Sequence, residues 1–212
     1  IRLHRALAEG MLCPFHYYGI TDLSVNDQEI NELSDFNLLT ADERINRILE
    51  AINRYGCDDG EIRGLVFCSR TEIAGELSKE FNNRGFKTVA LDGSTSEGDR
   101  QRAIDLLESE NKSEKLDYIF TVDIFNEGID IPRVNQIVML RPTQSAIVFV
   151  QQLGRGLRKT NGKEYLTVID FIGNYSNNYL VPIALYGDTS YNKDTLRKLI
   201  ASGSSMIPGT ST

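Results

Sequence analysis

Gly64-Leu65-Val66-Phe67-Cys68-Ser69-Arg70-Thr71-Glu72-Ile73-Ala74-Gly75-Glu76-Leu77-Ser78-Lys79-Glu80-Phe81, followed after a short gap by Thr88-Val89-Ala90-Leu91, decides the fold class. Gly64 to Cys68 is an apolar run of strand length without polar alternation, the pattern of a strand covered on both faces. Ile73, Ala74, Leu77 and Phe81 then recur at helical spacing and form one apolar stripe. Thr88 to Leu91 returns to the strand pattern. A buried strand, an amphipathic helix and a second buried strand make a βαβ unit, because parallel strands need a crossover of helical length to join them.

Downstream, Tyr118-Ile119-Phe120-Thr121-Val122, Ile137-Val138-Met139-Leu140 and Tyr165-Leu166-Thr167-Val168-Ile169 repeat the strand pattern, and Ala103, Ile104 and Leu107 repeat the helical stripe. The pattern predicts an α/β fold in which a parallel sheet is flanked by helices on both faces. Thr71 is the expected cap of the first helix, and Ser94 or Ser96 that of the second.

Upstream the text changes. A short helix is expected around Arg2 to Glu9, then an aromatic strand-like run to Tyr18, an acidic loop from Asp22 to Asp35, and a helix with Ile45, Ile48, Leu49 and Ile52 on one face. Thr40 or Asp42 stands near the start of that helix, and Cys57-Asp58-Asp59-Gly60 breaks the pattern after it. Residues 1–60 are therefore expected as a lead-in, or inter-domain bridge, packing on a core domain of residues 61–175. Residues 176–212, ending in Gly203-Ser204-Ser205 and Pro208-Gly209-Thr210-Ser211-Thr212, are expected as a partly flexible extension.

At 212 residues with 41% hydrophobic and 25% charged residues, the composition is that of an ordinary globular chain and excludes fibrous or disordered classes. No apolar run approaches the roughly 18 residues a membrane span requires, so no membrane partner is expected. The start lacks a basic patch, an apolar stretch and a cleavage site, and it lacks Met, so a cytoplasmic setting and an excised piece are expected. Three cysteines, Cys13, Cys57 and Cys68, are too few and too scattered for a disulfide framework. Cys13 and His16 have ligand-like spacing, yet no second pair accompanies them, so no metal site is expected. The net charge of −7 gives no bulk attraction for polyanions, and any contact with nucleic acid must be local.

Three segments carry chemistry. Ser69 and Arg70 stand at the carboxyl end of a buried strand, where ligands of open α/β sheets bind, and a hydroxyl, a guanidinium and helix N–H groups together can hold a phosphate. A solvated loop has the same composition. In Asp123-Ile124-Phe125-Asn126-Glu127-Gly128-Ile129-Asp130-Ile131-Pro132, Gly128 and Pro132 shape a turn from which Asp130 can accept from a ribose hydroxyl, hold a water or orient an arginine; a turn satisfying its own backbone reads the same. In Gln151-Gln152-Leu153-Gly154-Arg155-Gly156-Leu157-Arg158-Lys159, the two arginines three apart share one side of a helical turn, and their planar forks match phosphate oxygens. Gly154 and Gly156 would let the backbone approach such an anion. With Lys159 and Lys163 nearby, a solvated basic turn is the competing reading.

In this order and spacing the segments resemble the second RecA-like motor domain of superfamily 2 helicases and translocases of the DEAD/DEAH type, over about residues 62–172. Val66 to Thr71 is similar to motif IV, and Asp92-Gly93-Ser94 with Arg100 to motif IVa. Asp123 to Pro132 is similar to motif V, and Gln151-x-x-Gly154-Arg155-x-x-Arg158 to motif VI. Leu12-Cys13-Pro14-Phe15-His16-Tyr17-Tyr18-Gly19-Ile20 resembles the bridge between motor domains in bacterial helicases related to type III restriction subunits. Two departures stand out. Thr121-Val122-Asp123 replaces the common Ala-Thr-Asp, which either removes the expected phosphate-binding hydroxyl or displaces it to Thr121, and Asp92 holds a position often occupied by His.

The resemblance implies a P-loop NTPase-like helicase C-terminal domain that binds ATP with Mg²⁺ in a cleft shared with an N-terminal RecA-like domain of the same polypeptide. Nucleic acid, DNA by subfamily likeness, would lie across both. Arg158 would be the arginine finger with Arg155 beside it on the γ-phosphate, and Gln151 would position the attacking water or the γ-phosphate. Gly128, Asp130 and Gly154 would meet the nucleotide, while Ser69, Arg70, Gly93 and Thr121 would meet the sugar-phosphate backbone. For such a role the two arginines must face, at the sheet's ligand edge, a groove that a second lobe completes. The sequence contains no G-x-x-x-x-G-K-[ST] loop and no Asp-Glu pair after a strand, so the chain by itself is expected to hydrolyse no ATP. A noncatalytic nucleic-acid or protein docking module is the alternative. A free-standing doubly wound transferase is disfavoured, because the Gly-rich first turn it needs is not in the sequence.

Overall fold

A computed structural model of the chain describes residues 6–7, 9–20, 24–25, 28–29, 41–122, 131–141, 154, 156–171 and 210–211. In chain order the elements are β1 (Phe15–Gly19), β2 (Ser24–Val25), β3 (Gln28–Glu29), α1 (Ala41–Tyr55), β4 (Gly64–Cys68), α2 (Thr71–Asn83) and β5 (Thr88–Leu91). They continue with α3 (Glu97–Leu107), β6 (Tyr118–Thr121), β7 (Gln136–Leu140), β8 (Leu166–Asp170) and β9 (Thr210–Ser211). A seven-stranded sheet runs in the order β5-β6-β4-β7-β8-β1-β9, and every pairing in it is parallel. β2 and β3 form a separate antiparallel pair.

The fold is the helix-flanked parallel sheet expected from the apolar periodicity, and it agrees with the RecA-like domain that the motif resemblance implies. β4 to β8 fall on the predicted runs with shifts of a residue or so, and the α2 and α3 stripes form where predicted. Alternation along the central strands separates two cores. Leu65, Phe67, Ile119, Ile137, Met139 and Val168 pack with Ala103, Ile104 and Leu107 of α3 on one face. Val66, Cys68, Phe120, Val138, Leu140 and Ile169 pack on the other with Ile45, Ile48 and Ile52 of α1 and Ala74, Leu77 and Phe81 of α2. Each such side chain contributes about 1.5–3 kcal/mol when fully buried, so a sheet covered on both faces needs no edge polarity to stay folded.

Three details refine the expectations. The aromatic run before Tyr18 is a strand of the main sheet itself, with Tyr17 opposite Val168 beside β8. Gln136, polar in a buried strand, is satisfied on both sides: the Tyr118 hydroxyl donates to its Oε1 at 2.5 Å and its Nε2 donates to the Gly56 carbonyl at 2.8 Å. Ser96 caps α3 by accepting from the Asp99 amide, but Thr71 is the first residue of α2 and not its cap; the helix starts from the Arg70 carbonyl, and no side chain fills the cap role. The stretch expected as an acidic loop contains the β2–β3 pair, its backbone hydrogen bonds closing a short antiparallel ladder, while most of the helix expected around Arg2 to Glu9, the rest of that loop and nearly all of residues 176–212 lie outside the described residues.

Candidate functional site

The sheet order puts the carboxyl ends of β5, β6 and β4 side by side, about 5 Å apart per strand. Ser69, half-buried, and Arg70, exposed, leave β4 in an extended conformation (Arg70 φ −144°, ψ 151°) and enter α2. With no side-chain acceptor at the cap, the first-turn N–H groups of this 13-residue helix remain available to an anion.

After β5 the chain turns through Asp92, Gly93, Ser94 and Thr95. Asp92 Oδ1 accepts from the Ser94 amide at 2.8 Å and the Ser94 hydroxyl at 2.6 Å, and the Asp92 amide donates to Thr95 Oγ1 at 3.0 Å. The Ser94 hydroxyl and then the Ser94 amide hold the Asp92 carboxyl below its usual range. Asp92 is thus turned onto its own loop. Arg100 donates to the Asp92 and Gly93 carbonyls at 3.3 and 3.0 Å, and exposed Gly93 carries the tip of the turn.

Thr121 ends β6 between these turns, but it is 0% exposed and its buried Oγ1 has no hydrogen-bond partner. The expectation that it meets a sugar-phosphate backbone does not suit this burial, because a hydroxyl shut off from solvent is out of reach of a strand passing over the edge.

Arg158 lies elsewhere. The Cys13 amide, two residues before β1, donates to the Leu157 carbonyl at 2.7 Å, which fixes the end of the motif VI-like segment at the amino ends of the strands. Arg158 is exposed there. The expectation that the two arginines face the sheet's ligand edge is therefore corrected for Arg158: Ser69, Arg70 and Gly93 gather at the carboxyl edge, and Arg158 is at the opposite one. Leu157 is tied to the chain that enters β1, and β1 runs parallel to its neighbours, so the residue after Leu157 lies at the amino edge.

Gly156 is also reassigned. It is buried, and a Cβ there would approach Leu166 Cδ1 at 2.7 Å and Ile137 Cδ1 at 3.3 Å, so its missing side chain serves packing on the sheet and not access to an anion. A Cβ on half-buried Gly154 would meet nothing within 4 Å. Gln151, Arg155, Gly128 and Asp130 lie outside the described residues.

Several amino-edge residues escaped the sequence reading. Lys163, taken there as part of a solvated basic turn, donates to the Gly156 carbonyl at 2.5 Å, the Pro132 carbonyl at 2.9 Å and the Arg158 carbonyl at 3.4 Å. Burial lowers its pKa to about 8. Asn161-Gly162 before a buried strand was the available signal, because Asn-Gly favours a reversal, and Gly162 has φ +81°. Nearby, Arg63 donates to Asp59 at 3.2 Å and Asn135 bridges the Arg63 amide, Asp59 and the Glu61 carbonyl at 2.9–3.0 Å. Lys163 lines both a cavity of about 150 Å³ with Arg63 and Arg133 and one of about 390 Å³ with Cys13 and Glu164.

Among the described residues, no group of three His, Cys, Asp or Glu could hold a metal ion, and no helix is long and apolar enough to cross a membrane. Cys13 is buried, its thiol donating to the Glu164 carbonyl at 3.6 Å.

Comparison with known proteins gives consistent results. The helicase conserved C-terminal domain family matches residues 43–160, more than half of the chain. ATP-dependent RNA helicase SrmB of Haemophilus influenzae is 32% identical over 124 residues, covering 58% of this chain and 27% of that protein. A fragment assigned as the HsdR subunit of a type I restriction enzyme from Vibrio vulnificus superposes with a TM-score of 0.65 at 19% identity, covering 84% of this chain and 35% of that one. The ATP-dependent type ISP restriction-modification enzyme LlaBIII, solved bound to DNA, superposes with a TM-score of 0.62 at 19% identity, over 87% of this chain and 15% of that one. The chain spans between 19% and 35% of the length of the curated relatives it matches first.

Proposed function

Because the chain belongs to the helicase conserved C-terminal domain family, we propose that it is the second motor domain of an ATP-dependent DNA helicase or translocase. In this reading an N-terminal RecA-like domain of the same polypeptide supplies the phosphate-cradling loop and the carboxylate for Mg²⁺. Arg158 reaches across the amino edge as the arginine finger, with Arg155 beside it on the γ-phosphate. Gln151 positions the attacking water or the γ-phosphate, and Gly128, Asp130 and Gly154 line the nucleotide. A finger of this kind stabilises charge developing on the transferred phosphoryl group and contributes about 10³ to 10⁵ in rate.

At the carboxyl edge Ser69, Arg70 and Gly93 contact the sugar-phosphate backbone, with Arg70 and the uncapped α2 amides as the anion-binding groups. Thr121 stays behind that surface and takes no direct part. DNA is chosen over RNA on the likeness to two restriction-enzyme chains, one of which was solved on DNA. A cytoplasmic setting belongs to the same proposal, on the free thiols of all three cysteines.

The observation that carries the reading is the family match over residues 43–160, and not the placement of Arg158, which departs from the ligand edge the finger role was expected to need. A motor must hold two different ligands at once and couple them by opening and closing a cleft, whereas a docking module needs one surface. Here the family match includes both the Ser69–Arg70 turn on one edge and Arg158 on the other. The test is Arg158→Lys in the full-length polypeptide. DNA-stimulated ATP hydrolysis should fall by about 10³-fold or more while folding and strand binding persist; unchanged hydrolysis would favour the docking module. The 212-residue chain alone should show no phosphate release above a buffer blank.

A further inference from the structure

We propose that Lys163 is a positioning residue that holds the end of the arginine-finger segment against the chain leaving the Asp130 turn; the proposal rests on the motor reading above. The three N–H bonds of one ammonium go to three carbonyls, Gly156 at 2.5 Å, Pro132 at 2.9 Å and Arg158 at 3.4 Å. Gly156 directly follows Arg155, and Pro132 is two residues beyond Asp130. One cation thus joins the backbone next in sequence to Arg155 to the backbone two residues beyond Asp130. These two stretches belong to the crossovers on either side of β7, and beside the packing of Ile131 and Leu157 in one core, the Lys163 bonds tie their backbones together.

The bridge is half-buried, and Lys163 reaches it because Gly162, at φ +81°, reverses the chain before β8. Electrostatically it feels Cys13 ahead of β1, Asp58 after α1 and Glu108 after α3. Lys159 and Glu164 share its larger cavity, and Asp59, Arg63, Glu110 and Arg133 its smaller one. Burial brings Lys163 down to about 8, while it pushes the Cys13 thiol up. Losing the proton would leave an amine with two weaker donors for three carbonyls, and the arginine would no longer be held in register.

The test measures DNA-stimulated ATP hydrolysis by the full-length polypeptide from about pH 7 to about pH 9.5, with far-UV circular dichroism at each pH. The wild-type kcat should fall as pH rises through about 8 with the dichroism unchanged. Lys163→Arg, whose guanidinium keeps its charge, should show no such fall, which separates Lys163 from its titratable neighbours. Lys163→Met should lower kcat about 10- to 100-fold, the scale of a misplaced reacting group, with the KM for ATP within about twofold. Wild-type hydrolysis that is flat across this range, an equal fall in Lys163→Arg, or a Lys163→Met enzyme with unaltered kcat overturns the role. The pH arm decides even if the Met variant does not fold. Absence of any DNA-stimulated hydrolysis in the wild type would sink the motor reading and this role with it; hydrolysis indifferent to Lys163 sinks this role alone.

Discussion

The two edges of the sheet are built differently. At the carboxyl edge, bonds are local: Asp92 with Ser94 and Thr95, Arg100 with Asp92 and Gly93, Ser96 with Asp99. At the amino edge they are long-range: Arg63 with Asn135, Asn135 with Asp59, Arg133 with Glu108 and Glu110, the Glu164 amide with Asp58, Lys163 with Pro132. Local turns set the shape of a surface without holding the domain together, whereas long-range ties join loops that the chain would otherwise let drift. Substitutions at the carboxyl edge should therefore act on binding, and those at the amino edge on stability or on the placement of Arg158.

The sharpest way to break this contrast is Asn135→Ala. Asn135 is 3% exposed, and its loss leaves the buried Arg63 amide without its acceptor and takes one of its donors from Asp59. Stability by urea denaturation should fall by about 2–4 kcal/mol, the range for opening a buried polar network, while the folded fraction binds an oligonucleotide as before. Next in size, Arg70→Ala should weaken binding of a single-stranded oligonucleotide by about 1 kcal/mol and reduce its salt slope by about one, read by fluorescence anisotropy at several salt concentrations, with the melting temperature unmoved. An Arg70→Ala domain that melts early would erase the distinction between the edges.

The smallest effect concerns Asp92. Its folded-state pKa lies below the unfolded value, so its contribution is present above about pH 4 and is lost as pH falls through the folded value. The gap in melting temperature between wild type and Asp92→Asn should thus narrow between about pH 5 and pH 3. A gap that widens on acidification would show that the Asp92 turn is not held by its carboxylate.

What was legible and what was not follow from the range of the interactions. Gly64 to Cys68, the α2 stripe and the four later strands could be read because burial on two faces leaves a periodic imprint that each segment carries by itself. The Phe15–Gly19 strand could be recognised as a strand but not placed, because its partner β8 lies some 150 residues away and parallel pairing leaves no local mark. Thr121 and Gly156 were assigned to ligands on residue type, and the structure gives both to packing. Lys163 looked like one more surface cation, since nothing in Thr160-Asn161-Gly162-Lys163 reveals that Pro132, Gly156 and Arg158 converge there.

The residues in line determined the α/β class, the parallel sheet and the order of the helicase-like segments, since hydrophobic periodicity and motif spacing are properties of the chain alone. Only the tertiary structure decided that Arg70 and Arg158 reach opposite edges, which polar groups are turned inward, and that one half-buried ammonium ties together the backbone at Pro132, Gly156 and Arg158. Those outcomes depend on where strands distant in sequence come to lie side by side, and on the cost of leaving a buried donor or acceptor unpaired there.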